Sequence, residues 1–369
     1  MRKWTAFLAI FLLVGCSSGT QIEELAITLS TGIDEEEGIY KKKKSVTITS
    51  EILNTENGGA QEKGGGSTKY FLESVSAENI RDAFIQQTLL HPKEVLSLHN
   101  KAAVFGETTL QNGITDIVIE ISRSHSIRGS TYLVAAKGKA HDLLKSSTIE
   151  NQSISDSIIK LINRQGIKAK AIEIFQVAAG KQKDSVITLL DTVKSEGKTR
   201  LVVSGAAVLK RGKLAGYLNQ KEMKLVALLQ NQEPDLHIKV MYKNKPLEVA
   251  LDSSHFKLNS LLSNNTPKFI FNGELSFMVN IAEFGEITTV EDLSNIELLI
   301  RNELNRALTT LMKKTIVRYH CDVMGFGDHL YRYRPAYWKK HHNEWSSILP
   351  EVDVKFKPDV TINTVGMHA

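Results

Sequence analysis

Residues 237–281 read HIKVMYKNKPLEVALDSSHFKLNSLLSNNTPKFIFNGELSFMVNI, and three segments of this stretch have the pattern of β-strands. They are Ile238–Tyr242, Leu247–Leu251 and Phe269–Ile281, and all three are rich in the apolar and aromatic residues that strands favour. Short connections between consecutive strands favour antiparallel pairing. The stretch therefore predicts an antiparallel sheet in the C-terminal half of the chain.

A long helix is predicted directly after these strands. Thr289-Val290-Glu291-Asp292 has the form of a capping box, with Thr289 as the N-cap. Apolar residues then recur every three or four positions, which predicts one buried face on a helix of about 30 residues that backs the sheet. These residues are Leu293, Ile296, Ile300, Leu304, Leu308 and Leu311.

The segment after this helix is rich in aromatic and basic residues. Gly325-Phe326-Gly327 is interpreted as a structural turn that ends the long helix, and a second helix is predicted from Pro335 to Pro350. Trp338 and Trp345 are seven residues apart and share one helical face, which we expect to pack against the alternating strand Val352–Phe356. The alternative to a core role is a contact surface for a partner or for lipid headgroups. The candidate structural or interface residues are Gly325, Phe326, Gly327, Arg334, Trp338 and Trp345.

The N-terminal half alternates strands and helices. Ala102–Phe105 and Thr131–Ala136 are predicted as buried strands, and Leu110–Ile121 and Ser153–Gln165 as helices. A further helix is expected to begin at Ser76, as the N-cap. This alternation indicates a mixed α/β arrangement.

Two further features of the N-terminal half concern its charged and glycine-rich segments. Glu35–Glu37 and Lys41–Lys44 predict the arms of a β-hairpin, with a basic membrane-contact patch as the alternative. The glycine-rich residues 57–67 lack the Lys-Ser/Thr of a phosphate-binding loop. A linker near Ser195–Lys198 predicts one or more N-terminal α/β domains over 17–197 and a C-terminal α+β domain over 198–369.

The first sixteen residues have the form of a secretory leader. Two cations precede the apolar run Trp4–Val14, which is shorter than the roughly 20 residues that span a bilayer. Leu13-Val14-Gly15-Cys16 resembles the bacterial lipobox, in which the cysteine thiol takes a diacylglycerol before cleavage. We therefore expect a leader over 1–16, lipidation of Cys16, and two acyl chains that hold the mature protein on the outer face of a membrane.

Composition and motifs exclude several classes of function. The 369 residues carry a formal charge of +5, which falls to +3 without Arg2 and Lys3 and argues only weakly for nucleic acid. Cys321 has no disulfide partner once Cys16 is lipidated. No nucleophile elbow, phosphate-cradling loop or paired metal-ligand motif is present in the sequence, so no catalytic residue, cofactor or metal is expected. The cluster His320-Cys321-Asp322 with Asp328-His329 is a weak metal candidate.

The order of motifs resembles the Ger(x)C lipoproteins, the C subunits of nutrient-germinant receptors of bacterial spores. The first two matching stretches are Ile22–Ala26 with Gly32-Ile33-Asp34, and Leu98–Glu107. The others are Lys213–Asn219 with Glu222, and Asp322–Gly327 followed by Arg334-Pro335, Trp338, Trp345 and a strand that ends near Gly366. Ser17-Ser18 stands where the family usually has Trp-Asp.

The resemblance implies an α+β fold of two to three domains, each a mixed or antiparallel sheet packed with helices. It also implies a protein without catalytic activity that assembles with two integral-membrane subunits at the spore inner membrane and is needed for the response to nutrients. The alternative function is a lipid-anchored solute-binding protein of a transporter, which requires two doubly wound lobes around a hinge cleft. The antiparallel stretch 237–281 argues against that alternative.

Overall fold

The structure is a computed structural model that describes residues 24–37, 44–53, 69–123, 128–146, 153–170, 184–232, 234–263, 266–280 and 289–365. The predicted leader, the lipidation site Cys16, Ser17-Ser18 and the glycine-rich residues 57–67 lie outside these ranges. Among the described helices, none is both long enough and apolar enough to cross a membrane.

Within the described residues, the first sheet contains nine strands. Antiparallel pairs stand at both ends, and parallel strands in the middle, in the order β3-β2-β1-β5-β6-β7-β8-β9, with β4 parallel to the start of β1. The strands are β1 Leu25–Glu37, β2 Lys44–Leu53, β3 Tyr70–Ala77, β4 Glu94–Leu96, β5 Ala102–Phe105, β6 Tyr132–Ala136, β7 Ser185–Ser195, β8 Lys198–Lys210 and β9 Lys213–Asn219.

Helices cover both faces of the first sheet. Ala103 and Phe105 of β5 join one core cluster, whereas Ala102 and Val104 join the other, because successive strand residues point to opposite faces. The first cluster includes residues of α1 Ile80–Leu90, α2 Glu107–Asn112 and α3 Thr115–Arg123, and the second includes residues of α4 Ala140–Lys145 and α5 Ile154–Gln165. A strand buried on both faces explains the continuous apolar run of β5.

The second sheet has the order β10-β11-β12-β13. Its strands are β10 His237–Tyr242, β11 Lys245–Ser263, β12 Thr266–Asn280 and β13 Asp353–Val365. The first three pair antiparallel, as residues 237–281 predicted, and β13 is added parallel to β12. The α+β class predicted for the chain is therefore confirmed.

The helices of the C-terminal half lie on and beside this sheet. They are α6 Gln220–Leu229, α7 Val290–Met312, α8 Phe326–Tyr333, α9 Pro335–His341 and α10 Trp345–Ile348. Helix α7 contacts β10 and β13, and its predicted stripe from Ile296 to Leu311 is buried. The capping box at Thr289 and Asp292 is formed as expected, and the helix passes into a π-helical turn at Lys313–Arg318.

Several predicted boundaries were wrong. Helix α1 begins after Asn79, whose side-chain oxygen accepts from Asp82 N at 2.9 Å, whereas Ser76 lies in β3 opposite Thr47. The helix predicted over Leu110–Ile121 is two helices, because Gly113 adopts a φ of +110° between them. The helical spacing of apolar residues does not reveal such a break.

The C-terminal helix is also shorter than predicted. Helix α9 ends at His341, short 3₁₀ turns and α10 follow, and the chain reaches β13 after Pro350. Gly325 does not end the long helix; it adopts a left-handed φ of +73° as the N-cap of α8. Left-handed backbone favours glycine, so a turn is present but belongs to the next helix.

The predicted linker near Ser195–Lys198 is a tight hairpin turn inside the first sheet. Ser195 pairs with Lys198, and Glu196 and Gly197 between them both have positive φ. The linker interpretation was therefore wrong, since the first sheet continues through β8 and β9 to Asn219. The division into 17–197 and 198–369 remains a prediction.

Asp34, part of the Gly32-Ile33-Asp34 motif, connects β1 to α4. Its buried carboxylate accepts from Ala140 N at 2.8 Å and His141 N at 2.9 Å, and burial raises its pKa. A Cβ on Gly32 would lie 2.9 Å from the Leu144 side chain, so glycine is needed for the close approach of α4. The motif therefore has a structural explanation in helix capping and packing.

We predict that Asp34→Ala lowers the free energy of unfolding by about 1–3 kcal/mol, because the buried Ala140 N–H group and the partly buried His141 N–H group lose their acceptor. Asp142→Ala is the matched control on the same helix, since the Asp142 side chain is mostly exposed. Urea denaturation measures both variants. Equal midpoints for the two variants would contradict the capping role of Asp34.

Candidate functional site

The buried carboxylate of Asp322 organises the segment that the sequence singled out. It accepts from Phe326 N at 2.8 Å, from Gly327 N at 2.7 Å and from the indole Nε1 of Trp345 at 3.1 Å. The first two donors are the free N–H groups at the start of α8. One side chain therefore fixes the loop before α8, the first turn of α8 and the position of α10.

Asp184 connects this loop to the first sheet. Its carboxylate accepts from Asp322 N at 2.7 Å and from Arg211 N at 3.1 Å. Sequence reasoning missed Asp184, because a single acid before a strand gives no pattern to recognise. Asp184 thus joins the loop before α8 to the turn between β8 and β9 of the first sheet.

Burial dominates the electrostatics of Asp322. Loss of water raises its pKa to about 6, the N–H donors of Gly327, Phe326 and Trp345 oppose that rise, and the nearby Asp184 charge adds to it. Burial also raises the pKa of Asp184. The buried Cys321 thiol donates to Tyr319 O, and burial raises its pKa to about 12, so this thiol is poorly reactive.

Aromatic rings surround the first turn of α8. Phe326 stacks on Phe269 of β12 with 4.3 Å between ring centroids, and Trp345 meets the same ring edge-on at 6.5 Å. The rings of Trp338 and Trp345 meet edge to face with 5.7 Å between their centroids, so the two tryptophans lie side by side, as their spacing predicted. Phe269 was predicted only as a strand residue, although the alternation along β12 marks its buried face.

Gly327 lies under the tryptophans. A Cβ at this position would come within 2.7 Å of Trp338 Cη2 and 3.1 Å of Trp345 Nε1. The first distance is too short for a real contact and the second is tight, so the absence of a side chain permits this packing. At Gly325 a Cβ would meet only Asp328 Cβ at 3.9 Å, and the need for glycine there comes from its backbone angle.

Arg334 lies at the edge of this cluster. Its Nη2 donates to Ser260 O of β11 at 2.9 Å, and His329 Nε2 is 3.1 Å from the Ser260 hydroxyl. Burial and the charges of Arg334 and Arg332 lower the pKa of His329. These contacts hold α8 and α9 against β11, and most of the Arg334 residue remains exposed.

A cleft of about 1480 Å³ opens beside these residues, between the end of α6, strand β11 and helix α8. Its lining is mainly basic. The exposed basic residues are Lys257, Arg332, Arg334 and Lys357, and the acidic residues are Asp184 and Asp328. The cleft lies on the same side of α8 as His329. Among the described residues that line the cleft, Ser260 is the one hydroxyl or thiol residue that forms a hydrogen bond to a histidine, His329.

The residues considered as metal ligands do not converge. His320 is exposed, the Cys321 thiol faces Tyr319 O, the Asp322 carboxylate holds N–H groups, and His329 faces Ser260. Within the described part of the chain, no three histidine, cysteine or acidic side chains are placed to hold a metal ion.

The structure thus brings Gly325, Phe326, Gly327, Trp338 and Trp345 together around Asp322, with Arg334 at the edge. Cys16 lies outside the described residues. The arrangement fixes local structure, because every oxygen of Asp322 already accepts an N–H group. The structural or interface role of these residues remains a prediction, and the following variants test it.

We predict that Asp322→Asn lowers the free energy of unfolding by about 1–3 kcal/mol at neutral pH, because an amide has one acceptor oxygen for donors on two sides. Asp359→Asn is the control, since the Asp359 side chain is 78% exposed in a loose ion pair. Urea denaturation of both variants is the measurement. Wild-type stability of Asp322→Asn would contradict the assignment.

The raised pKa of Asp322 predicts that the free energy of unfolding depends on pH. The folded pKa of about 6 exceeds the ordinary value of 3.8, so the folded state binds this proton more tightly. Its contribution to stability is present below about pH 4 and is lost as the pH rises through about 6. The stability of Asp322→Asn should therefore fall less than that of the wild type between these pH values.

We predict that Gly327→Val lowers the melting temperature strongly, because the new side chain overlaps both tryptophans. Gly325→Asn should melt close to the wild type, since asparagine tolerates a left-handed backbone and space is open there. Near-UV circular dichroism follows both transitions. A Gly327→Val protein that melts like the wild type but loses partner binding would show that this glycine belongs to an interface.

Comparison with known proteins gives the family. Residues 18–191 match the family model described as "Spore germination protein N-terminal domain". Residues 204–366 match the one described as "Spore germination B3/ GerAC like, C-terminal". The two models together span most of the chain, in the order that the motifs predicted.

Several spore germination proteins are similar in sequence to this chain over nearly their full lengths. Spore germination protein YndF of Bacillus subtilis (strain 168) is 26% identical, with 99% of this chain and 97% of that protein covered. Spore germination protein B3 of the same organism is 24% identical, with 98% and 96% covered. Spore germination protein KC is 23% identical over 98% of this chain and 94% of that protein.

A solved structure has the same fold. The crystal structure of the GerBC protein matches with a TM-score of 0.60 and 22% sequence identity, covering 94% of this chain and 100% of that chain. The nine-stranded and four-stranded sheets described above thus belong to a fold already seen in the GerBC protein. With both family models matched in order along its length, the chain belongs to the GerAC family of spore germination proteins.

Proposed function

We propose that this protein is a non-enzymatic, lipid-anchored subunit of a spore nutrient germinant receptor. The observation that carries the proposal is the family match, which covers residues 18–191 and 204–366 in one chain. Full-length similarity to several spore germination proteins supports the same role. The chain would act by assembly with two integral-membrane subunits and not by catalysis.

The chemistry around Asp322 supports a role without catalysis. The Asp322 carboxylate is buried and both of its oxygens accept from Phe326, Gly327 or Trp345, and the neighbouring Cys321 thiol is buried with a raised pKa. A general base or nucleophile needs a free lone pair within reach of a substrate. These groups instead stabilise the loop that presents α8 and α9.

The proposed location is the outer face of the spore inner membrane. The lipobox-like Leu13-Val14-Gly15-Cys16 supports a diacylglycerol on Cys16, and two acyl chains are enough for a stable attachment. The integral-membrane subunits would then meet the folded part of this chain at the bilayer surface. The exposed Arg332, Lys339 and Lys340 of α8 and α9 are candidates for contact with a partner.

The solute-binding alternative predicts two doubly wound lobes. Strands β10, β11 and β12 pair antiparallel and only β13 is parallel, so the second sheet does not have that topology. We therefore do not favour a transporter-associated solute-binding protein.

We predict that Cys16→Ala abolishes diacylglycerol modification and leaves the protein uncleaved or released from the membrane, because cysteine alone carries the thiol that is modified. Mass spectrometry of the mature N-terminus is the measurement. Spores that lack the gene should lose a nutrient response that the wild-type gene restores and the Cys16→Ala gene restores poorly. Membrane-bound wild-type protein with an unmodified N-terminus at another residue would contradict the anchor.

A further inference from the structure

The last turn of helix α1 exposes leucines to solvent. Leu89 is 77% exposed and Leu90 is 69% exposed, and Ile85, one turn earlier, is 50% exposed. Ile85 and Leu89 are four residues apart and therefore lie on one face of the helix. Large apolar side chains gathered in this way mark a surface that is covered by something apolar.

The same helix buries a polar side chain in place of these leucines. Gln87 is 1% exposed, and its amide donates to Glu73 Oε2 at 3.3 Å and accepts from the Ser50 hydroxyl at 3.3 Å. With Ile80 and Ala83 it forms the face that packs on β2 and β3. The orientation of α1 is thus fixed by specific contacts, and its leucines are held outward.

Aromatic residues continue this surface onto β3. Phe71 is 39% exposed and stacks on His91, directly after Leu90, with ring centroids 6.3 Å apart. Beside it, Lys69 Nζ lies 5.6 Å from the Tyr70 ring centroid. We call Phe71, Ile85, Leu89 and Leu90 the apolar tip.

The apolar tip lies at the end of the first sheet where the described chain begins. Leu25 of β1 pairs with Glu94, which follows α1 by four residues, and Leu53 of β2 pairs with Tyr70, next to Phe71. Cys16 is eight residues before Glu24. Eight residues span at most about 29 Å when fully extended, so a lipid on Cys16 keeps this end of the sheet close to the bilayer.

We propose that the apolar tip inserts into the interfacial region of the bilayer that holds Cys16. The inference rests on the lipid anchor of the proposed function and adds a second, oriented contact. A single point of attachment leaves a protein free to tumble, whereas a second contact fixes which side faces the membrane. The outward leucines and the aromatic rings at the interface have the chemistry of such a contact.

Charges near the tip are balanced, so the contact is apolar in origin. Lys69 and Lys93 are opposed by Glu24 and Glu94 at the same end of the sheet. Electrostatic attraction to anionic lipid is weakened by salt, whereas burial of leucine is not. Insertion should therefore persist at high salt and in vesicles of phosphatidylcholine alone.

The test uses the full, lipidated chain in phosphatidylcholine vesicles, with an environment-sensitive fluorophore on the single variant Leu89→Cys. Cys16 carries lipid, and Cys321 is fully buried with a raised pKa, so neither competes for the label. Met241→Cys is the control, since Met241 is 61% exposed on β10 of the other sheet. Emission from the Leu89→Cys label should shift to the blue and be quenched by doxyl-labelled lipid, and the control should show neither effect.

A second variant checks that the leucines cause the insertion. Leu90→Glu in the Leu89→Cys protein should remove most of the lipid quenching, whereas Val290→Glu, at a position 81% exposed on α7, should leave it unchanged. Both substitutions are on exposed residues and should leave the fold intact.

The outcomes separate this inference from the proposed function. Mass spectrometry of the same sample that finds no diacylglycerol on Cys16 contradicts the anchor. The Cys16 thiol is then also open to the label, so Leu89→Cys is repeated with Cys16→Ser, and lipid quenching of the Leu89→Cys label in that protein still supports the tip. A modified Cys16 with equal quenching of the Leu89 and Met241 labels overturns the tip alone. A Leu89 label that is shielded from aqueous iodide only when the membrane subunits are present, without lipid quenching, also overturns it, because the occupant is then a protein.

Discussion

A carboxylate that is removed from water must be surrounded by donors, and this requirement fixes how the C-terminal half is assembled. Asp322 meets it with two backbone N–H groups of α8 and the indole of Trp345. The loop after α7, the start of α8 and the short α10 can therefore adopt only one mutual arrangement. The stacking of Phe326 on Phe269 then places that arrangement on the second sheet.

The same device occurs twice in the first sheet. Asp34 of β1 accepts from the first N–H groups of α4, and the buried Glu51 of β2 accepts from Ile154 N at 2.7 Å and Ser155 N at 3.0 Å at the start of α5. Helix N-termini carry unpaired N–H groups and a partial positive charge, both of which a carboxylate satisfies. Acidic residues that are distant in sequence thus cap α4 and α5, and Asp322 in the preceding loop caps α8. Helices α6 and α7 instead have local capping boxes.

Two exposed surfaces lie on different parts of the molecule, which suits the proposed role in assembly. The apolar tip lies at the end of the first sheet where β1 begins, and the aromatic and basic segment of α8 and α9 lies beside the second sheet. The hydrogen bond from Asp322 N to Asp184 joins the loop before α8 to the first sheet. With the tip in the membrane as proposed, this contact would help to set the orientation of the aromatic and basic segment relative to the bilayer.

The sequence by itself determined the local elements and the family. Apolar periodicity predicted α7, the short connections between strand-like segments predicted the antiparallel β10–β12, and the order of motifs predicted the fold class. It could not determine that β8 continues the first sheet, that Gly113 divides a helix, or that β13 lies parallel to β12. Sequence patterns report the periodicity of the local backbone, whereas these features depend on partners distant in the chain. Asp34 and Ala140 are 106 positions apart, and Asp184 and Asp322 are 138 apart, so only the tertiary structure decides that these groups meet.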